Sequence, residues 1–198
     1  MLDKTPGIPV SLFFDYSCPY CYIASHRLRG LMERHHLDVL WRFIETRPEV
    51  PAAGLTAGDQ VDEALLVQAR AEGLALDLPG LVPNTRRAIL LAQATLLQRP
   101  DAFPLLHQRL FQAVFVEGKN IGDADELRHL ARELGLEAQL LTAWETSAAI
   151  QVVLSHVEEA QRHGLQQVPT IVVAERSFPG MVSVDLLEQA LHKHAERP

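Results

Sequence analysis

The run Val10-Ser11-Leu12-Phe13-Phe14 has the composition of a strand and is too short to be a helix of its own. A polar turn follows. Ile23, Leu28, Leu31 and Met32 then recur at helical spacing and predict a helix from about Pro19 to His35. Arg27, Arg29, Glu33 and Arg34 fall mostly off that apolar stripe. Leu37 to Ile44 alternates well enough for a second strand, and Leu40-Trp41 breaks the alternation as in a strand buried on both faces. Connections this short predict a right-handed β-α-β unit with parallel strands. Arg47 to Gly54, with Pro48 and Pro51, ends regular structure and reads as a linker.

From Thr56 to about Gly164 the spacing is helical. Ala64–Glu72 forms one element, closed by Gly73, and Asn84 after Pro83 is a predicted N-cap for the next, whose core face is Ala88, Leu91, Ala92 and Thr95. Leu105, Leu106, Leu110, Val114 and Phe115 make a third stripe ended by Gly118. Asp123 with Glu126 three residues on resembles a capping box ahead of Leu127, Leu130, Ala131 and Leu134. Two more helices are predicted over Leu136–Ser147 and Ala148–His163. Strand composition returns at Val168–Val173 and again at Arg176–Gly180, and Ser183 caps a last helix through Leu186, Leu187, Ala190 and Leu191.

Composition changes this picture little. The 198 residues are 47% hydrophobic and carry a net charge of −7, an ordinary balance for a soluble globular chain and a poor one for nucleic acid or an anionic membrane surface. The residues before Phe14 include Asp3, Pro6 and Pro9 and do not form a basic region followed by a long apolar one. The apolar stretch from Ala88 to Leu97 is broken by Gln93 and falls far short of a membrane span. A cytoplasmic location is therefore expected. In that compartment a lone cysteine pair is more plausibly catalytic than a stabilising disulfide.

The chemistry concentrates in Cys18-Pro19-Tyr20-Cys21, at the seam between the first strand and the first helix. These are the chain's two cysteines, and random placement would space them by three about once in 100. A helix N-terminus offers unpaired amides and the positive end of its dipole, which stabilise a thiolate at Cys18. Pro19 falls where a missing N–H costs nothing, and Cys21 lies one turn along, in reach of a mixed disulfide at Cys18. A zinc site would need two further ligands, and no second C-x-x-C or finger-spaced histidine pair exists. Glu33-x-x-His36 and Glu126-x-x-His129 each match half of a di-iron helix motif, but the remaining carboxylates are missing and solvated helix faces explain them better. No metal is expected.

The order β-α-β, helical block, β-β-α describes an α/β thioredoxin-like fold split by a large all-helical insertion. Residues 1–54 plus 165–198 would form the thioredoxin-like domain and 55–164 the inserted one. C-P-Y-C with Val168-Pro169-Thr170 at this distance resembles the DsbA-type thiol oxidoreductases. Arg47-Pro48, Pro83-Asn84-Thr85 and Leu110-Phe111…Gly118…Ile121-Gly122-Asp123 look like the cytosolic FrnE-like branch.

The resemblance implies a cis Pro169 facing the redox pair, with Val168's backbone turned toward an extended substrate. It also implies dithiol–disulfide exchange through a redox-active Cys18–Cys21 disulfide, with no bound cofactor. Thiol- or disulfide-containing proteins or small thiols, glutathione among them, would be the partners of a monomer or homodimer. Two departures are visible: Leu165-Gln166-Gln167 stands where relatives carry a glycine, and Tyr20 where they often carry Trp. Tyr20 could offer its ring to a bound peptide or glutathione, or be half-exposed packing.

The insertion also looks like that of 2-hydroxychromene-2-carboxylate isomerases and kappa-class glutathione transferases. Those enzymes hold glutathione and carry Ser where Cys18 stands. Asn84 would then contact substrate as well as cap a helix. A third reading is a peptide-binding or chaperone-like module whose thiols are incidental.

Overall fold

The first strand, β1 (Ile8–Phe14), is covered on both faces toward its C-terminal end, where Leu12, Phe13 and Phe14 are all fully buried. The computed structural model describes residues 6–58 and 62–195, so Asp3 and the outermost ends of the two flanking segments lie outside the described residues. After β1 come α1 (Pro19–Arg34) and β2 (Leu37–Phe43), with β2 parallel to β1 from Ile8 opposite Leu37 to Phe14 opposite Phe43. β5 (Thr170–Val173) lies antiparallel on β1's other side, followed by β6 (Arg176–Pro179) and α8 (Val184–Ala195).

The four-stranded order β2-β1-β5-β6 corrects one expectation. β2 is an edge strand and is not buried on both faces. Trp41 turns inward against Phe14 and His107, whereas Leu40 stays 44% exposed. The apolar doublet marks one core contact and one surface leucine.

Among the described residues the inserted segment supplies six helices: α2 (Glu63–Ala71), α3 (Arg86–Gln98), α4 (Phe103–Phe115), α5 (Ala124–Glu133), α6 (Glu137–Glu145) and α7 (Ala148–Arg162). One small pairing interrupts the helices. β3 (Leu55–Thr56) and β4 (Leu81–Val82) form a two-residue antiparallel ribbon. On α4, Leu105 is 60% exposed, because two residues past the buried Phe103 is about 200° around the helix. Phe103, His107 and Phe111 take the inward face. Leu186 on α8 likewise faces out, and Leu187, Ala190 and Leu191 face in.

The capping box at Asp123 is half formed. Its carboxylate accepts from the amides of Asp125 (2.7 Å) and Glu126 (3.2 Å), but Glu126 turns away to Lys119 at 2.8 Å. The Asp123 amide donates to the Asn120 carbonyl at 3.1 Å instead. Beside it Gly122 is tightly enclosed: a Cβ there would stand 2.9 Å from the carbonyl oxygens of both Ala52 and Asn84. A glycine is what lets this turn close onto the linker and the start of α3.

The inserted helices share the sheet's core. One continuous set of buried side chains runs from Leu12 and Phe14 through Leu28 into Leu91, Leu106, Phe111, Leu127 and Leu187. A smaller set, Ile23, Leu65 and Ala69, fastens α2 to α1. No described helix is long and apolar enough to cross a membrane.

Candidate active site

Between β1 and α1 the chain turns sharply, and the turn is tied down from below. Asp15 is fully buried; its carboxylate accepts from the Ser17 amide (3.1 Å) and from the amide (2.8 Å) and hydroxyl (2.5 Å) of Thr46. A buried carboxylate satisfied by three donors is a rigid anchor. The anchor joins the loop before α1 to the loop after β2. Cys18 then takes the N-cap position of α1 with extended backbone angles (φ −98°, ψ 113°), and Pro19 enters the first turn. The Cys18 sulfur accepts from the Cys21 amide at 3.3 Å, as a serine or aspartate oxygen does at an ordinary N-cap.

The two thiols differ. Cys18 is partly exposed and Cys21 fully buried; both are free. The Cys21 thiol, donating toward the Cys18 sulfur, lowers the pKa of Cys18, and the amides of Cys21 and Tyr20 pull the same way. Burial and the Asp15 charge oppose them without reversing the direction. Burial pushes Cys21 well up, and its hydrogen bond to Cys18 and that sulfur's charge add to the rise. The pair is therefore one partly exposed thiol whose thiolate is favoured and one buried thiol beneath it that is held protonated.

Across from Cys18 lies the turn before β5. The Val168–Pro169 peptide is cis, and the Val168 carbonyl oxygen stands 3.9 Å from the Cys18 sulfur. The Pro169 carbonyl accepts from the Gly180 amide at 2.8 Å, and the Thr170 hydroxyl donates to the Gln167 carbonyl at 2.8 Å, fixing the turn. Among the described residues, no main-chain group bonds to the main chain of Val168. On the other flank a groove runs from Ser17 and Pro19 to Leu81, Val82 and Pro83, floored by Val114 and Phe115.

Cys18, Pro19, Cys21, Val168 and Pro169 thus meet in one place. Tyr20 is adjacent but committed to packing. It lies against the set built on Ile23 and Leu65, and its hydroxyl donates to Asp62, the carboxylate that also caps α2. That bond raises Tyr20's pKa and lowers that of Asp62. Asn84 is not the N-cap of α3; Thr85 holds that position without a side-chain bond. The Asn84 side chain accepts from the Arg86 amide (3.1 Å) and donates to the Val50 carbonyl (2.6 Å), so both its ends are engaged within the chain. Phe14, Tyr16 and Ile23 are fully buried and belong to the core.

Sequence reasoning passed over Asp15, Thr46 and His107. No signal short of the fold joins Thr46 to Asp15. For His107 one existed: it falls four residues after Phe103 and four before Phe111, on the apolar face of an amphipathic helix. Among the described residues no cluster of metal-ligating side chains is found.

Residues 9–192 match the DSBA-like thioredoxin domain family. The chain belongs to that family. Among individual proteins, it is 26% identical over 192 residues to the uncharacterised protein YwbO of Bacillus subtilis, covering 93% of this chain and 96% of that one. A probable DsbA oxidoreductase of Streptomyces coelicolor superposes with a TM-score of 0.79 at 22% identity, covering 96% of this chain and 92% of that one. A 2-hydroxychromene-2-carboxylate isomerase superposes with a TM-score of 0.78 at 19% identity, over 95% and 96%. At these identities the two structures show a shared fold.

Proposed function

We propose that this DsbA-family protein is a dithiol–disulfide oxidoreductase working through Cys18 and Cys21. The observation that carries the reading is the contrast between the two thiols, one lowered at a helix N-terminus and one buried and raised beside it. Cys18, as thiolate, attacks one sulfur of a substrate disulfide; that S–S bond breaks, a substrate thiolate leaves, and a mixed disulfide forms. Cys21 then gives up its proton and attacks the Cys18 sulfur, which expels the second substrate thiolate. The protein ends oxidised by two electrons and the substrate reduced by two. Run backwards, the same steps oxidise a dithiol. Val168's open main chain is the pairing site for an extended substrate, and the apolar groove beside Pro19 receives its side chains.

Within the family, Arg47-Pro48, Pro83-Asn84-Thr85 and Ile121-Gly122-Asp123 support the FrnE-like branch, and with it a cytoplasmic setting and glutathione as a redox partner. The isomerase-type reading is the runner-up because that fold is equally close in shape. A cysteine stands at position 18, where those enzymes carry serine, and a resolving thiol follows it.

The test is a titration against glutathione redox buffers, with thiols acid-trapped and the protein weighed by mass spectrometry. Interconversion of a dithiol and an internal disulfide supports the proposal. A glutathione adduct without the Cys18–Cys21 disulfide moves the assignment to the glutathione-dependent reading. Peptide binding that survives replacement of both cysteines by serine, with no redox midpoint, would leave a binding module.

A further inference from the structure

Farther along α1, on the stripe that continues from Cys18, the helix and α4 enclose a second cavity of about 110 Å³. It shares no lining residue with the groove at Pro19. Tyr22, Trp41 and Phe111 give it aromatic walls, and its polar lining residues are Ser25, His26, Arg29, His107 and Gln108.

A hydrogen-bonded chain leads into it. The Tyr16 hydroxyl lies 2.9 Å from His107 Nδ1, and His107 Nε2 lies 2.6 Å from Ser25 Oγ. Tyr16 is fully buried, and His107 and Ser25 are 5% and 7% exposed. Burial keeps the imidazole neutral, its pKa pulled down to about 3, so it carries one N–H and one bare nitrogen. Were the proton on Nδ1, the Tyr16 hydroxyl would accept, and its own hydrogen would have no acceptor among the described residues. A buried donor left unmade is costly, so Tyr16 donates to Nδ1 and Nε2–H donates to Ser25.

Two consequences follow for Ser25. It is not a nucleophile activated by histidine, because the facing nitrogen already carries a proton. Its own hydroxyl hydrogen has no protein acceptor among the described residues and borders the cavity. One turn on, at i+4, Arg29 bonds to the neutral Gln108 side chain (2.7 Å) and contacts His26 (3.3 Å), and no carboxylate pairs with it among the described residues. The cavity thus offers aromatic walls of ring size, one unspent buried donor and one unneutralised cation on the same helix face.

We propose that this cavity binds a small monocyclic aromatic carboxylate, its ring among Tyr22, Trp41 and Phe111 and its carboxylate taken by Ser25 and Arg29. The site does not depend on the thiol chemistry. Its test uses benzoate as the probe, on the whole chain and on the Cys18→Ser form, followed by titration calorimetry and by the indole N–H resonances of Trp41 and Trp144. Benzoate is expected to bind one to one, to move the Trp41 signal and not that of Trp144, and to bind the Cys18→Ser form equally well.

Arg29→Gln, an exposed change that leaves the core alone, is expected to weaken binding about tenfold, and Ser25→Ala by a similar factor. Toluene is expected to bind far more weakly than benzoate. No saturable binding at millimolar benzoate would overturn the proposal. So would affinity unchanged in both variants, or toluene binding as tightly as benzoate, the signature of an apolar void without anion recognition.

Discussion

At the scale of single residues, the two cysteines have separable roles. Cys18→Ser is expected to abolish exchange, and Cys21→Ser to leave a protein that accumulates mixed disulfides, read as adduct masses after acid trapping. Equal and full activity in both variants would sink the mechanism. Alkylation gives an independent check. Cys18's pKa is lowered, so its labelling by iodoacetamide is expected to rise at a pH below the free-thiol value of about 8.5, whereas native Cys21 stays unlabelled. A single profile centred at the free-thiol value for both would contradict the asymmetry. The pair and its helix-end position were legible in the sequence because C-x-x-C is local. Asp15 bonding to Thr46 was not, since 31 residues separate them and only the parallel pairing of β1 and β2 brings them together.

At the scale of elements, caps and close approaches set the cost of change. Asp123→Ala removes the side-chain acceptor for two amides of α5 and is expected to cost about 1 kcal/mol in urea unfolding. Glu126→Ala is expected to cost less, because it loses only a partly exposed pair with Lys119. An equal loss in both would mean that the reciprocal half of the box forms in solution. Gly122→Ala would push a Cβ against two backbone carbonyls, neither the end of a flexible side chain, and is expected to cost about 1–3 kcal/mol. Unchanged stability there would show that the linker at Ala52 gives way. Helix existence was readable from apolar spacing and end glycines. The inward face of α4 was readable too, since Leu106, Leu110, Val114 and Phe115 are buried; only at Leu105 and His107 are the roles that hydrophobicity alone assigns exchanged.

At the scale of the whole molecule, two buried histidines make stability depend on pH. Burial holds His107 down to about 3 and His156, whose Nδ1 accepts from the Phe43 amide, down to about 4. Both lie below the unfolded value of about 6.5. Between 6.5 and those folded values the unfolded chain binds protons that the native chain refuses, so stability falls as pH falls. The slope approaches about 1.4 kcal/mol per pH unit for each histidine. Urea midpoints are expected to be flat from pH 8 to 7 and to decline from 6.5 toward 5. His107→Gln is expected to shallow that decline; a flat profile in the parent protein would contradict the burial of both rings. Since one set of buried side chains spans sheet and inserted helices, a single unfolding transition is expected by far-ultraviolet dichroism and Trp fluorescence alike.

The sequence by itself determined what depends on neighbours along the chain: strands from composition, helices from period, and a thiol pair at a helix start. It also carried the order of elements, and with it the insertion between two halves of a thioredoxin-like sheet. Tertiary structure alone decided which strand is central and which is an edge, because β1 acquires partners from both ends of the chain. It also decided that Asn84 and Tyr20 spend their polar atoms internally, and that His107 reaches Ser25 across 82 positions. The physical reason is common to all three. A side chain's partners are set by where distant backbone comes to rest, and a local pattern carries no record of that distance.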